Sequence, residues 1–283
     1  MKQVMIVDGN NFFTRGYHSA KYANKNISEF ILDMYCNLIE RNKEARFIFA
    51  YDTTKSERRL KLYPEYKANR KSRMTEEEYA EFKRLLNVFI EITRLNGHSI
   101  LDGHGYEADD YIACISQMLK NRYDVIIVST DRDLFQLVDK YIRVYDPIKG
   151  IYITLDNFFN IMEVRPEAFL DYKCIRGDDS DNIPGIDLFG EITTKKFLNE
   201  YGCYENMYKE FSKKAKRLKK EEAILNREVY ERNKQLVDLS LYFNDDTLKN
   251  IIRERVSNTQ KDEKKLHEIL TNNDLSHYYK KIR

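Results

Sequence analysis

Tryptophan is absent from these 283 residues, and there are only four prolines and ten glycines. So few chain breakers, in a sequence that is 33% charged, point to a helix-rich soluble protein. Cys36, Cys114, Cys174 and Cys203 are scattered and form no C-x-x-C pair, which reads as reduced, buried thiols in a cytoplasmic protein. The five histidines show no metal-ligand spacing. No apolar run approaches the roughly 20 residues of a membrane span. The N-terminus opens on a strand-like run, so no secretory signal is expected.

Charge of one sign is also lacking overall, at +2 net, but the charges are segregated. Residues 55–73 hold Lys55, Arg58, Arg59, Lys61, Lys67, Arg70, Lys71 and Arg73 against Glu57 and Glu65. Residues 213–220 hold Lys213, Lys214, Lys216, Arg217, Lys219 and Lys220 with no acid. Either stretch alone has a solvated face as its plain alternative reading. Beside clustered acids elsewhere, they imply a polyanionic substrate.

The first half alternates Val/Ile/Phe-rich runs at 3–7, 46–51, 98–102, 124–129 and 141–145 with helical patterns. Helices are predicted over 28–41, from the Thr75/Glu78 capping box to Gly97, over 108–120 and over 132–138. This predicts an α/β core with a mostly parallel central sheet flanked by helices. The basic stretch at 55–74 has no apolar stripe and is expected to project as a loop or short helices. After about residue 160 only helices are expected, at 166–175, 191–200, 205–238, 246–256 and 262–270. The expected division is therefore an α/β unit over 1–165 and a helical region over 166–283.

Four of the strand-like runs lead into carboxylates: Asp8, Asp52, Glu107 and Asp131. Asp109 and Asp110 follow Glu107, Asp133 follows Asp131, and GDDSDN at 177–182 adds Asp178 and Asp181. The carboxyl ends of parallel strands share one edge, where ligands bind. Each acid alone is explained as a turn former or helix cap. Capping does not explain why every such edge carries one. So many carboxylates ionise side by side only with cations among them, and oxygen-only donors suit Mg²⁺ or Mn²⁺. Two metal ions are expected. In LYPEYKANR at 62–70, Pro64 fixes a bend, Tyr66 offers a ring to a base, and Lys67 and Arg70 lie one helical turn apart. The loop before FGEITTKKFLNEYG at 189–202 would present backbone amides to phosphate.

The order VDGNN, YD, LYPEYKANR, EADD, STDRDL and GDDSDNIPG resembles the flap endonuclease/5′-to-3′ exonuclease family. Its relatives include the 5′ nuclease domain of DNA polymerase I and the phage enzymes, some called ribonuclease H. The resemblance runs to about residue 205. It implies a 5′ nuclease core and a helix-hairpin-helix variant within about 174–202. Asp8, Asp52, Glu107, Asp109 and Asp131 match its first metal group. Asp133, Asp178 and Asp181 match the second, with Asp110 between them. Lys67 and Arg70 match catalytic basic residues at the base of its arch. Tyr66, Arg58, Arg59 and Lys71, with Gly185, Gly190, Thr193 and Lys195 in the hairpin, are the implied nucleic-acid contacts. Leu188 and Ile192 depart from the pattern, standing where the family typically has Gly and Lys. The resemblance therefore leaves open whether this hairpin grips a duplex through a monovalent cation.

The expected activity is two-metal hydrolysis of phosphodiester bonds at a 5′ flap or 5′ end of DNA, or in an RNA–DNA hybrid. The expected protein is a monomer in a bacterial or phage-infected cell, with polymerase and single-strand-binding protein as separate partners. A haloacid-dehalogenase-type phosphatase with Asp131 as nucleophile would leave Asp8, Asp52 and 62–70 without a role. A Rossmann dehydrogenase fails for want of G-x-G-x-x-G. A non-catalytic structure-specific DNA-binding protein is the remaining alternative.

Overall fold

The computed structural model describes residues 2–69 and 74–282. The apolar runs of the first half become β1 (Lys2–Asp8), β2 (Arg46–Tyr51), β3 (Ser99–Asp102), β4 (Tyr123–Val128) and β5 (Ile142–Asp146). These five are parallel, and a short sixth strand, β6 (Ile151–Ile153), returns antiparallel to β5. The order β3-β2-β1-β4-β5-β6 reverses direction at β1, so a crevice opens between the ends of β1 and β4.

Alternation along the strands supplies two apolar faces. Val4 and Ile6 pack on one side with α5 (Ala108–Leu119). Met5 and Val7 pack on the other with α1 (Gly9–Tyr22), α2 (Ile27–Arg41) and α4 (Glu76–Leu95). Full burial of each such side chain contributes about 1.5–3 kcal/mol. The Thr75/Glu78 capping box forms as expected at the start of α4.

Several elements differ from the sequence reading. Helix α1 follows β1 without a break and was hidden by its mixed polarity, as was α6 (Leu155–Met162). Residues Arg132–Leu137 form a tight 3₁₀ turn. The described part of the basic stretch, residues 55–69, does not project. It forms α3 (Glu57–Leu62) and a following turn, with Ser56, Arg59 and Tyr66 buried. The expected helix at 205–238 is three, α9 (Tyr204–Ser212), α10 (Lys219–Ile224) and α11 (Arg227–Val237), preceded by α7 (Phe169–Arg176) and α8 (Glu191–Tyr201). The run of like charge at 213–218 gives no helical stripe, and the chain turns there.

The tail returns to the sheet. Helix α12 (Asp246–Ser257) packs on β3 and α5, and α13 (Glu263–Asn272) packs on α4. Leu266, Leu270, Tyr278 and Ile282 complete the apolar cluster on the α1/α2 side. No helix among the described residues is long and apolar enough to cross a membrane.

Candidate active site

The acids meet in a cavity of about 260 Å³ at the carboxyl ends of β1, β2 and β4. Its walls include Asp8, Asp52, Asp109, Asp131, Asp133, Asp178 and Asp181, with Lys67 and Arg15 at the edge. A larger hollow of about 550 Å³ between α4 and α12 holds no such convergence of acids. Chemistry rather than size therefore locates the site.

Local structure aims each carboxylate. Asp8 ends β1 and caps α1, accepting the Asn11 N–H at 3.0 Å and the Ser129 hydroxyl at 2.8 Å. The next residue must be glycine, because a Cβ on Gly9 would lie 2.2 Å from the Tyr51 ring. Asp52, beyond β2, accepts the Ala108 N–H at 2.6 Å, so it caps the distant α5 and not its own following segment. Asp131 accepts the Asp133 N–H at 2.9 Å, and Asp178 accepts the Ser180 N–H and hydroxyl at 2.9 and 2.6 Å. Asn10, Asn11, Arg15, Ser129 and Thr130 tie these strand ends together, and the sequence reading missed them. Asn10 accepts the Asp52 N–H at 2.8 Å, Asn11 accepts the Thr130 N–H at 3.2 Å, and Arg15 donates to the Thr130 hydroxyl at 2.6 Å.

The electrostatics separate two kinds of acid. Burial first, then the charges of Asp131 and Asp52, push the Asp8 carboxyl up to about 7. Burial with Asp131, Asp8 and Asp52 pushes Asp109 well above the usual range. Burial raises Asp133 to about 6 although Lys173 opposes it. Asp8 and Asp109 need a positive partner, whereas Asp133 already has the Lys173 ammonium beside it. Other acids already have one. Burial also pushes Asp178 up, but Lys173 and Ser180 pull harder and hold it at about 2. Burial disfavours charge on Glu107, yet Lys67 and Arg59 outweigh it and hold its carboxyl low.

Two ammonium groups stand among the acids. Lys173 Nζ lies 2.6 Å from both Asp133 and Asp178, and Lys67 Nζ lies 2.8 Å from Glu107 and 3.9 Å from Asp181. Lys173 is a further missed residue; its one signal was a lysine five residues before Asp178. Among the described residues, no three acid, thiol or imidazole side chains close tightly enough around one point to hold an ion as they stand. The oxygen-only donors, the raised carboxyls and a cation already bridging Asp133 and Asp178 all fit a hard divalent ion.

The structure corrects several expected roles. Asp110 does not face the cavity. It is fully buried, receives both Arg59 Nη atoms at 3.1 and 2.7 Å, and accepts the Glu107 N–H at 2.9 Å. Glu107 also sits behind the cavity, accepting from Arg59, Tyr66 and Lys67 at 3.2, 2.9 and 2.8 Å. Arg59 is buried, and its Nε donates to the Leu236 carbonyl at 2.9 Å, so it cannot reach DNA. Arg58 is held by the Tyr242 hydroxyl and the Gln235 carbonyl at 3.0 and 2.8 Å. Tyr66 is buried with its hydroxyl on Glu107 and Asp181, which removes its ring as a stacking platform.

Lys67 keeps a place at the cavity wall, in left-handed backbone at φ 57°, with its N–H donated to the Asp181 carbonyl at 2.9 Å. Strain of this kind persists where neighbours over-determine the conformation. In the hairpin, Lys195 is held by Glu163 and Glu191 at 2.9 and 2.6 Å and is not free for phosphate. Thr193 accepts from Lys220 at 3.3 Å, Gly190 caps α8 with open space around it, and Gly185 lies tight against the Arg176 carbonyl. Arg70 and Lys71 lie outside the described residues.

A family model described as 5′-3′ exonuclease, N-terminal resolvase-like domain, matches residues 3–165. A second, described as 5′-3′ exonuclease, C-terminal SAM fold, matches residues 164–259. The chain is 30% identical over 259 residues to a 5′-3′ exonuclease of Aquifex aeolicus, covering 88% of this chain and 87% of that protein. It is 32% identical over 217 residues to DNA polymerase I of Mycobacterium tuberculosis, covering 72% of this chain but only 24% of the polymerase. The chain thus spans about a quarter of the length of that relative.

Among solved structures, the bacteriophage T5 5′-exonuclease with bound zinc superposes with a TM-score of 0.78 at 26% identity, covering 90% of this chain and 98% of that one. The bacteriophage T5 flap endonuclease, in a pseudo-enzyme-product complex with DNA and metal ions, gives 0.76 at 27% identity, with 90% and 98% covered.

Proposed function

Because the chain belongs to the 5′-3′ exonuclease family and is a nuclease of the 5′-3′ exonuclease/flap endonuclease type, we propose that its acid-lined cavity hydrolyses a phosphodiester bond near a 5′ end or 5′ flap. The single observation that carries this reading is the convergence of Asp8, Asp52, Asp109, Asp131, Asp133, Asp178 and Asp181 from distant parts of the sequence onto one cavity.

We assign those seven carboxylates as the ligands of two Mg²⁺ ions, with Mn²⁺ able to substitute. Bound there, divalent ions supply an activated water and offset charge on the leaving oxygen. The chain's own residues do the rest. Asp8 and Asp109, whose carboxyls burial and the neighbouring acids hold high, would give up their protons to a bound cation. Lys67 and Arg15 at the cavity edge place fixed positive charge where the reacting phosphate gains negative charge. Glu107 and Asp181 hold the Lys67 ammonium in position, and Arg59 holds Glu107 and Asp110.

DNA with a 5′ flap is the proposed substrate, with an RNA–DNA hybrid second. A polymerase and a single-strand-binding protein would act as separate partners in replication. The test is cleavage of 5′-labelled flap, nicked duplex and RNA–DNA hybrid in Mg²⁺. Products shortened from the 5′ end of the flap substrate are expected, and their loss in Asp131→Asn with DNA binding retained. A flap left intact by the native protein in both Mg²⁺ and Mn²⁺ overturns the reading.

A further inference from the structure

One buried amide holds both ends of the acid loop. Strands β7 (Gly177–Asp178) and β8 (Ile183–Pro184) close the neck of that loop. Asn233 of α11 is fully buried beside it. Its Nδ2 donates to the Cys174 carbonyl at 2.9 Å, before the loop, and to the Pro184 carbonyl at 2.8 Å, after it. Its Oδ1 accepts from Arg232 Nε and Nη2 at 3.2 and 2.9 Å. Both amide hydrogens are thus used, and the amide can point only one way, because its nitrogen alone can face two carbonyls. Asparagine is a weak helix former and expensive to bury, so this residue does little for α11 itself. Its bonds serve the loop.

The same helix is fastened to the turn that carries the other acids. Gln136 lies in the 3₁₀ turn Arg132–Leu137, which also holds Asp133 and is capped by Asp131. Its Nε2 donates to the Val237 carbonyl at 3.1 Å, and its Oε1 accepts the Leu239 N–H at 3.4 Å. Arg59 Nε donates to the Leu236 carbonyl at 2.9 Å. Carbonyls in the last turn of a helix lack partners within it and carry its negative end, so donors from the core are drawn to them. Helix α11 therefore spans from the turn of Asp131 and Asp133 to the loop of Asp178 and Asp181. Asp133 and Asp178 meet across Lys173 Nζ, 2.6 Å from each, and Lys173 directly precedes Cys174, whose carbonyl Asn233 holds. Groups that bind one ion together must be held within about 0.5 Å of their productive places. For carboxylates from two halves of the chain, the element that bridges the halves sets that spacing.

We propose that Asn233 is a positioning residue, which holds both ends of the acid loop to α11 while Gln136 holds the end of α11 to the core. The pair sets the gap between Asp133 and the acids Asp178 and Asp181, and so the affinity for the divalent ion those acids share. The proposal rests on the metal-dependent nuclease reading. It places control of one ion in an amide that is spent on backbone carbonyls, not on a carboxylate or on the substrate.

The test is Mn²⁺ binding without DNA, by isothermal titration calorimetry, with melting by circular dichroism in EDTA to establish that each variant is folded. The native protein should bind two Mn²⁺. Asn233→Leu nearly keeps the size of the side chain, removes both donors, and adds no charge. One ion should then bind as in the native protein and the other about tenfold more weakly, the scale for losing a partner behind metal ligands. Gln136→Ala, at a half-buried position, frees the other end of α11 and should weaken the same ion. It covers the case in which Asn233→Leu does not fold. Tyr230→Phe is the control for stability alone. It removes the bond from the Tyr230 hydroxyl to Asp171, which ties α11 to α7, so it should lower the melting temperature and leave both Mn²⁺ affinities unchanged.

Native affinity for both ions in folded Asn233→Leu overturns the proposal, as does native affinity in Gln136→Ala where Asn233→Leu does not fold. An equal weakening in Tyr230→Phe overturns it too, because general loosening would then account for the effect. A native protein that binds fewer than two ions removes the two-ion assignment and this proposal with it. Cleavage of the flap by the native protein is scored separately. A protein that binds both ions, cuts, and is indifferent to Asn233→Leu keeps the nuclease reading and loses the positioning role. A protein that shows the Asn233 effect on Mn²⁺ but leaves every flap intact loses only the nuclease reading.

Discussion

Replacing Asp8 with asparagine should stabilise the metal-free protein while destroying its activity. The Asp8 carboxyl, ordinarily at 3.8, stands at about 7 in the folded chain. Between those values the folded state keeps a proton that the unfolded chain has released. Stability in chelator therefore falls as pH rises from about 4 to about 7 and levels off above that, by ~4 kcal/mol for this group.

Asparagine removes the charge and keeps the geometry. Its oxygen accepts the Asn11 N–H as the carboxylate does, and Asn caps helices about as well as Asp. The gain should thus be small near pH 4 and largest above pH 7, where a raised melting temperature of several degrees is expected at ~2–4 °C per kcal/mol. With tryptophan absent, circular dichroism at pH 5 and pH 8 in EDTA is the suitable assay. Millimolar Mg²⁺ should raise the native protein by mass action and the variant by less, which narrows or reverses the gap. A melting temperature for Asp8→Asn that is lower than native at pH 8 in EDTA would refute the reasoning, because the carboxylate would then be a structural cap first.

Arg59→Met should destabilise by about 3–5 kcal/mol, because it leaves the buried Asp110 carboxylate without its partner; chemical denaturation reads this directly, and a loss under 1 kcal/mol would contradict the assignment. Asp178→Asn should slow flap cleavage severely at low Mg²⁺ and recover in part at high Mg²⁺, whereas Asp131→Asn should not recover at any concentration. Lys67→Ala should lower the single-turnover rate about 10²-fold or more, the scale for one preorganised charge, and an effect on affinity alone would remove its proposed catalytic role. Alanine substitutions of Lys216 and Lys219 should weaken DNA binding and flatten its salt dependence.

Much of the site was legible because it lies on strand ends. A parallel strand announces itself by a short Val/Ile/Phe run, and the residue that follows such a run falls on the ligand-binding edge whatever the helices do. Asp8, Asp52 and Asp131 could therefore be placed together before any contact was known. The spaced acids of GDDSDN joined the site as further clustered carboxylates and through the family resemblance, since nothing in a loop that follows a helix places it on the sheet edge.

What the sequence determined by itself is thus the mostly parallel α/β core, the edge where its acids gather and the need of those acids for cations. The tertiary structure decided which charges are spent inside the fold. Asp110 and Arg59 have the same composition signature as ligand and DNA contact, yet they neutralise each other in a fully desolvated pair. Lys173 reads as an ordinary helical lysine, yet the turn from α7 into the acid loop sets it between two carboxylates. Residue type and spacing fix what a side chain can bind. Only the packing of α3, α5, α7 and α11 around the cavity fixes which partner reaches it first, because a charge removed from water must be satisfied by whatever the fold brings within about 3 Å.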